Sequence, residues 1–167
     1  MSKTLEDLKQ AFAGESQANR RYLAFAKKAD EDGLPQVARL FRAAAHAETI
    51  HALNHFKAMG EVKTTAENLQ AAIGGENYEV VSMYPEFLKD AEAEGDKKAH
   101  NSFRLAWEVE KVHEELYREM LALLEGSKTS DEFDYYVCPI CGYVHKKGSP
   151  EKCPVCGCPG ARFEKIA

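Results

Sequence analysis

The sequence predicts an all-α four-helix bundle followed by a small metal-binding module, and three observations carry that expectation. Four long stretches repeat apolar residues at helical spacing and end at glycines. Within them lie two Glu-x-x-His pairs, Glu48/His51 and Glu110/His113, set 62 residues apart. All five cysteines fall between Cys138 and Cys158, near the end of the 167-residue chain. The expected boundaries are a bundle over 1–126, a linker over 127–134 and a cysteine module over 135–167.

The first helix is expected from Thr4 to Asp32, where Leu8, Phe12, Glu15, Tyr22, Phe25 and Ala29 line one stripe and Gly33 ends it. The second begins at Pro35, whose fixed φ and missing N–H suit a first helical turn. Val37, Phe41, Ala44, Glu48, His51, His55 and Met59 trace its inner face until Gly60. A connection with a short helix from Thr65 to Ile73 follows. Gly74-Gly75 is then expected to break the chain before a third long helix from Glu76 to Gly95. Pro85 lies inside that helix, where a proline costs about 3 kcal/mol or forces a kink, so a bend is expected near Tyr84. Asp96 caps the fourth helix, whose inner face reads Phe103, Trp107, Glu110, His113, Tyr117, Met120 and Leu124 before Gly126. The polar run from Gly126 to Asp134 has too few apolar residues to pack and reads as the linker.

A weak internal repeat relates the two helix pairs. Tyr22 and Tyr84, Glu48 and Glu110, and His51 and His113 all differ by 62 positions. The first-helix glutamates break this register, because Glu15 precedes Tyr22 by seven positions and Glu76 precedes Tyr84 by eight. A one-residue π-bulge in the third helix would absorb the difference, and regular hydrogen bonding from Glu76 to Pro85 would refute it.

Composition narrows the partners. A formal charge of −5 and a pI near 5.7 leave no basic stripe for nucleic acid. No apolar run approaches the roughly 18 to 20 residues that cross a bilayer, and the start MSKTLEDLKQ has neither signal-peptide nor lipidation character. Cytoplasmic residence without a membrane partner is expected. The clustered cysteines read as metal ligands in a reducing compartment rather than as disulfides.

Glutamates rarely occupy the core face of a helix unless paired or metal-bound, since burying a lone carboxylate costs several kcal/mol. Here the stripes place Glu15 on the first helix, Glu48 and His51 on the second, Glu76 and Glu79 on the third, and Glu110 and His113 on the fourth. Residues three apart on a helix point the same way, so each pair can offer two ligands to one cation. A glutamate from each of two helices plus Glu-x-x-His from the other two is the ligand set of di-iron carboxylate bundles. Two divalent cations among these carboxylates bring the site near neutrality. The small residues Ala43, Ala44, Ala45, Ala47 and Ala52 are expected to leave room for the ions. Iron or manganese suits such ligands, and zinc is not excluded by them. Tyr22 and Tyr84 are placed to orient the carboxylates or to fill the core. His46, His55 and His100 read as structural or exposed.

Cys138-Pro-Ile-Cys141-Gly and Cys153-Pro-Val-Cys156-Gly form two knuckles separated by eleven residues, each aiming two thiolates at one tetrahedral ion. Zinc and iron share this geometry. With iron, four thiolates make a one-electron centre with no open position for substrate. Cys158 reads as a spare thiol and His145 as a surface residue.

The stretches AGESQANRRY, Ala47 to His51, GGENYEVVSMYP, Glu110 to His113 and the paired CPxCG knuckles together make the chain resemble the rubrerythrins end to end. The resemblance implies a ferritin-like di-iron bundle followed by a rubredoxin-like domain, with Glu79 at the position of the family's extra carboxylate. It implies a peroxidase reducing hydrogen peroxide to water in oxidative-stress defence. Rubredoxin or an NAD(P)H-dependent reductase would supply the electrons. One iron would move between Glu79 in the oxidised state and His51 in the reduced state, with Glu48 and Glu110 bridging, which makes Glu79 and His51, with Tyr22 and Tyr84, the catalytic candidates. A head-to-tail homodimer is also implied, with the cysteine iron of one subunit near the di-iron site of the other and helix pairs exchanged in some members. The chain has no Gly-x-Gly-x-x-Gly fingerprint, so nicotinamide is expected on a separate protein. Two alternatives stay open: a ferroxidase or iron-storage protein, and a zinc-stabilised interaction protein.

Overall fold

A computed structural model describes residues 2–126 and 132–167, so residues 127–131 of the expected linker lie outside the described residues. Its contacts divide the chain into two units, Met1–Lys63 and Thr64–Ala167.

The first unit is a helical hairpin of α1 (Lys3–Glu31) and α2 (Pro35–Ala58). Ser2 caps α1 by accepting the amide of Leu5, and Gly33 adopts the left-handed φ of 72° that the short turn between the helices requires. The seam is built from small residues. Ala26 and Ala29 of α1 and Ala38, Ala45 and Ala52 of α2 are buried, the latter three at heptad spacing. The Asn19 amide bridges the helices by donating to the Ala45 carbonyl at 2.7 Å and to Thr49 Oγ1 at 2.8 Å. Two expectations change here. Ala45 and Ala52 serve helix contact rather than space for ions, and Phe25, expected inside, is 47% exposed. Within the hairpin alanine fills the one seam, and Phe25, Leu40 and Ile50 lie off it.

The second unit contains α3 (Thr65–Tyr78), a π-helical turn (Glu79–Met83), α4 (Tyr84–Glu94) and α5 (Lys97–Glu125). Thr64 and Glu67 form a reciprocal capping box, and α3 then runs through Gly74-Gly75 without the expected break. Glycine in a helix interior costs only about 1 kcal/mol relative to alanine. The cap and the packing of α3 on α5 outweigh it. The π-turn lies where the register demanded an extra residue, and the Tyr84 amide bonds the Glu79 carbonyl five residues back. Asp96 Oδ1 caps α5 by accepting the amides of Lys98 and Ala99.

The repeat extends beyond the ligand positions. Tyr22, Phe25 and Phe41 form one ring cluster, with Phe25 and Phe41 centroids 5.5 Å apart. Tyr84, Phe87 and Phe103, each 62 positions later, form its counterpart, with Phe87 and Phe103 at 5.4 Å.

The cysteine module is a three-stranded antiparallel sheet ordered β2-β1-β3, with β1 Tyr135–Val137, β2 Val144–Lys146 and β3 Glu164–Ile166. It packs on α5: Gly142 sits over the buried Val109, and Lys146 pairs with Glu119.

Candidate metal centres

The two knuckles share one hydrogen-bond plan. Gly142 donates to the Cys138 carbonyl and Gly157 to the Cys153 carbonyl, while the amides of Cys138 and Cys153 reach Tyr143 and Cys158. Both glycines hold left-handed φ, 85° and 77°, so a side chain there would strain the turn. The four sulfurs of Cys138, Cys141, Cys153 and Cys156 lie within 4.8 Å of one another, with Cys138 to Cys156 at 3.5 Å and Cys141 to Cys153 at 3.6 Å. A tetrahedral ion with metal–sulfur bonds of about 2.3 Å separates its ligands by about 3.8 Å, so the quartet fits one ion. Burial works against the Cys138 thiolate, but the amides of Cys141 and Ile140 point at its sulfur and bring the thiol down to about 7. Burial pushes Cys141 the other way. Without a cation the quartet therefore holds unequal thiols, as four anions at such range would repel. Cys158 lies outside the quartet, buried against the second knuckle, and His145 is partly buried with Nδ1 2.8 Å from the Gly148 carbonyl.

Each helical unit brings together one carboxylate–imidazole triad. In the first, ligand atoms of Glu15, Glu48 and His51 lie within 4.8 Å of one another; in the second, those of Glu76, Glu110 and His113 do. The local cause is the same in both: Glu and His three apart on a helix face one glutamate on the preceding helix. His51 Nδ1 is 2.8 Å from Glu48, and His113 Nδ1 is 2.7 Å from Glu110. The imidazoles differ in freedom. His51 is 54% exposed, whereas His113 is 25% exposed and its Nε2 donates to the Gly142 carbonyl at 3.3 Å. That bond places a proton on Nε2 and aims Nδ1 at Glu110, with which it shares a proton when no cation lies between them.

The electrostatics of the second triad are those of a cation site. Burial, then the neighbouring Glu110 and Glu79, raise Glu76 to about 7, and a hydrogen bond joins Glu76 to Glu110. Two carboxylates this close share a proton when no cation separates them. Burial and Glu110 also raise Glu79, which lies on the π-turn beside the triad rather than among its clustered ligand atoms. The hydrogen bond to Glu110 holds His113 above its ordinary value. These donors suit a hard or borderline divalent ion.

Tyr84 stands over this site. Burial and the carboxylates of Glu79, Glu110 and Glu76 hold its hydroxyl above the usual range. Tyr22 sits in the aromatic cluster of the first unit. Tyr117, on sequence grounds a core residue only, is also raised by burial and by the charges of Glu76 and Glu110. Its signal is present in the chain: it follows His113 by four positions on the same stripe. No charged side chain is fully buried among the described residues. Glu48 and Glu110 retain 18% and 16% exposure.

Comparison with known proteins matches residues 6–121 to the family described as "Rubrerythrin" and residues 136–164 to "Rubrerythrin, rubredoxin-like domain". The chain is 41% identical to the nigerythrin of Nitratidesulfovibrio vulgaris, covering 96% of this chain and 85% of that protein. It is 39% identical to the rubrerythrin of Porphyromonas gingivalis, covering 99% and 90%. Among solved structures, the fully reduced, all-ferrous state of nigerythrin aligns over 99% of this chain and 88% of that one, at 38% identity and a TM-score of 0.60.

Proposed function

Because the chain belongs to the rubrerythrin family of iron oxidoreductases, which join a ferritin-like di-iron domain to a rubredoxin-like iron domain, we propose that it reduces hydrogen peroxide to water. The observation that carries this reading is one ligand triad built twice, Glu15/Glu48/His51 and Glu76/Glu110/His113, in a chain that also brings four cysteine sulfurs within 4.8 Å of one another. We assign Glu15, Glu48, His51, Glu76, Glu79, Glu110 and His113 as the residues that would hold the two ions of the dinuclear centre, and Cys138, Cys141, Cys153 and Cys156 as those that would hold the single iron. The bundle ends at residue 126 and the rubredoxin-like domain spans 135–167.

When bound, two ferrous ions supply the electrons that split an O–O bond. The chain's residues supply the rest. Glu76 surrenders its proton as a cation enters. His113, whose Nε2 donates to Gly142, would hold an ion in both redox states, and the more exposed His51 and the neighbouring Glu79 would be the ligands that exchange. Tyr84, and Tyr22 in the first unit, would hold carboxylates in orientation. No helix among the described residues is long and apolar enough to cross a membrane. We place the protein in the reducing cytoplasm, as a head-to-tail homodimer with or without exchanged helix pairs. Rubredoxin or an NAD(P)H-dependent reductase serves as donor, since the sequence lacks a dinucleotide fingerprint.

Rapid mixing of the diferrous protein with peroxide and, separately, with dioxygen tests the proposal. Faster oxidation by peroxide supports it. Faster oxidation by dioxygen identifies a ferroxidase instead.

A further inference from the structure

The π-turn has a hydrogen-bond problem, and one side chain solves it. In a regular helix the Val80 carbonyl would accept the amide of Tyr84, but that amide is bonded to Glu79. In a π-helix the same carbonyl would accept from the residue five positions on, and that residue is Pro85, which has no N–H. The Val80 carbonyl is thus denied both donors that a helix offers. The indole Nε1 of Trp107, on α5, donates to it at 2.8 Å.

We propose that Pro85 and Trp107 form a lock that fixes the position of the π-turn, and through it the placement of Glu79 relative to Glu76. Pro85 removes the backbone donor, and Trp107 replaces it from the neighbouring helix. The consequence for metal binding rests on the reading of Glu76 and Glu79 as ligands; the lock itself does not.

The surroundings of the indole support the assignment. Lys111 Nζ lies 3.4 Å from the centre of the Trp107 ring and is held in turn by Glu108 at 2.9 Å, which fixes the ring plane. Trp107 precedes Glu110 by three positions, so the residue that satisfies Val80 stands on the same face as the ligand of α5. The companion pair offers a contrast. The position 62 before Trp107 is Ala45, and α1 runs unbroken from Lys3 to Glu31 with no proline and no π-turn. There the cross-helix bond is made by Asn19 to the Ala45 carbonyl.

Without the indole donor, the carbonyl is left to water or to a shift of the extra residue along the helix, which rotates Glu79 away from the triad. Trp107 is therefore a positioning residue that acts through the backbone.

Trp107 is the chain's one tryptophan, so it can be replaced uniformly by 3-benzothienylalanine, which keeps the ring shape and puts sulfur where the N–H was. Two quantities are measured on the full chain with zinc in the four-cysteine site: hydrogen exchange at the Tyr84 amide before cation addition, and Co(II) binding to the carboxylate sites. The analogue is expected to exchange about tenfold faster at Tyr84 and to bind the weaker of two Co(II) ions about tenfold less tightly. In a Pro85→Ala background the new amide at position 85 supplies the missing donor, so analogue and parent are expected to match. Unchanged exchange in the analogue, or an equal loss in the Pro85→Ala background, overturns the lock. Binding of fewer than two Co(II) ions by the parent would overturn the dinuclear reading, while Tyr84 exchange would still decide the lock.

Discussion

His113 Nε2 lies 3.3 Å from the carbonyl oxygen of Gly142, so the imidazole that faces Glu110 on one side touches the first cysteine knuckle on the other. The path from the Cys141 sulfur to the carboxylate triad then crosses one residue of backbone and one hydrogen bond. Gly142 has a φ of 85°, and a Cβ there would stand 3.9 Å from Val109 Cγ1. Gly142→Ala is expected to cost about 1 kcal/mol through backbone strain and to loosen this contact. Stopped-flow spectroscopy should show slower recolouring of the reduced four-cysteine iron after peroxide addition, with an unchanged ferric spectrum. An unaltered rate would remove the contact from the electron path.

Metal-free stability should fall as pH rises. Glu76 is raised to about 7 by burial and its acidic neighbours, and His113 is raised by its bond to Glu110. In both cases the folded chain binds a proton more tightly than the unfolded chain, so the stabilisation is full at low pH and disappears as pH passes the folded values. Thermal unfolding of the metal-free protein should therefore show a decline from about pH 4.5 to just above pH 7. Glu76→Gln should flatten the part of that decline due to Glu76. Metal affinity should run the opposite way, since a cation must displace these protons.

Glu79→Ala should retain both metal centres and lose turnover. Glu79 lies outside the clustered ligand atoms of its triad, so its loss leaves Glu76, Glu110 and His113 to hold a cation. Iron analysis against steady-state peroxide reduction checks this, and full activity in the variant would remove Glu79 from the redox-linked role.

The isolated protein should be red when the four-cysteine site holds ferric iron, and the colour should bleach under dithionite. Chelation should unfold the module, because three strands of three residues and a small core do not suffice without the ion. A colourless protein with stoichiometric zinc would point to the interaction-module alternative.

Ala45→Leu should destabilise the first helical unit by about 1 to 3 kcal/mol, since Ala45 is 1% exposed in a seam spaced by small residues. Chemical denaturation checks the magnitude. Ala43→Leu, at an exposed position two residues earlier, should change little.

Much of the architecture could be read from local signals. Gly33, Gly60, Gly95 and Asp96 punctuate the helices as expected, because capping and left-handed turns depend on nearest neighbours. The π-turn was legible for a different reason: a repeat with a one-residue slip has to place the surplus somewhere. Gly74-Gly75 misled, because a pair of glycines lowers helix propensity by an amount that one cap and one packed neighbour recover. The inner stripe of α1 misled over Phe25, since periodicity identifies a face and does not say which neighbour covers it.

The residue order alone determined which side chains could act as ligands, since i, i+3 spacing on a helix and the CPxCG turn are local geometry. It determined the knuckle glycines too, because only their backbone freedom permits the turn. Tertiary structure decided which of these groups feel one another: that His113 is pinned by Gly142 while His51 stays exposed, that Glu76 keeps its proton near neutrality, and that Trp107 reaches the Val80 carbonyl, whose π-helical donor position is Pro85. Such relations join residues tens of positions apart, and helical periodicity carries no information about distances between helices.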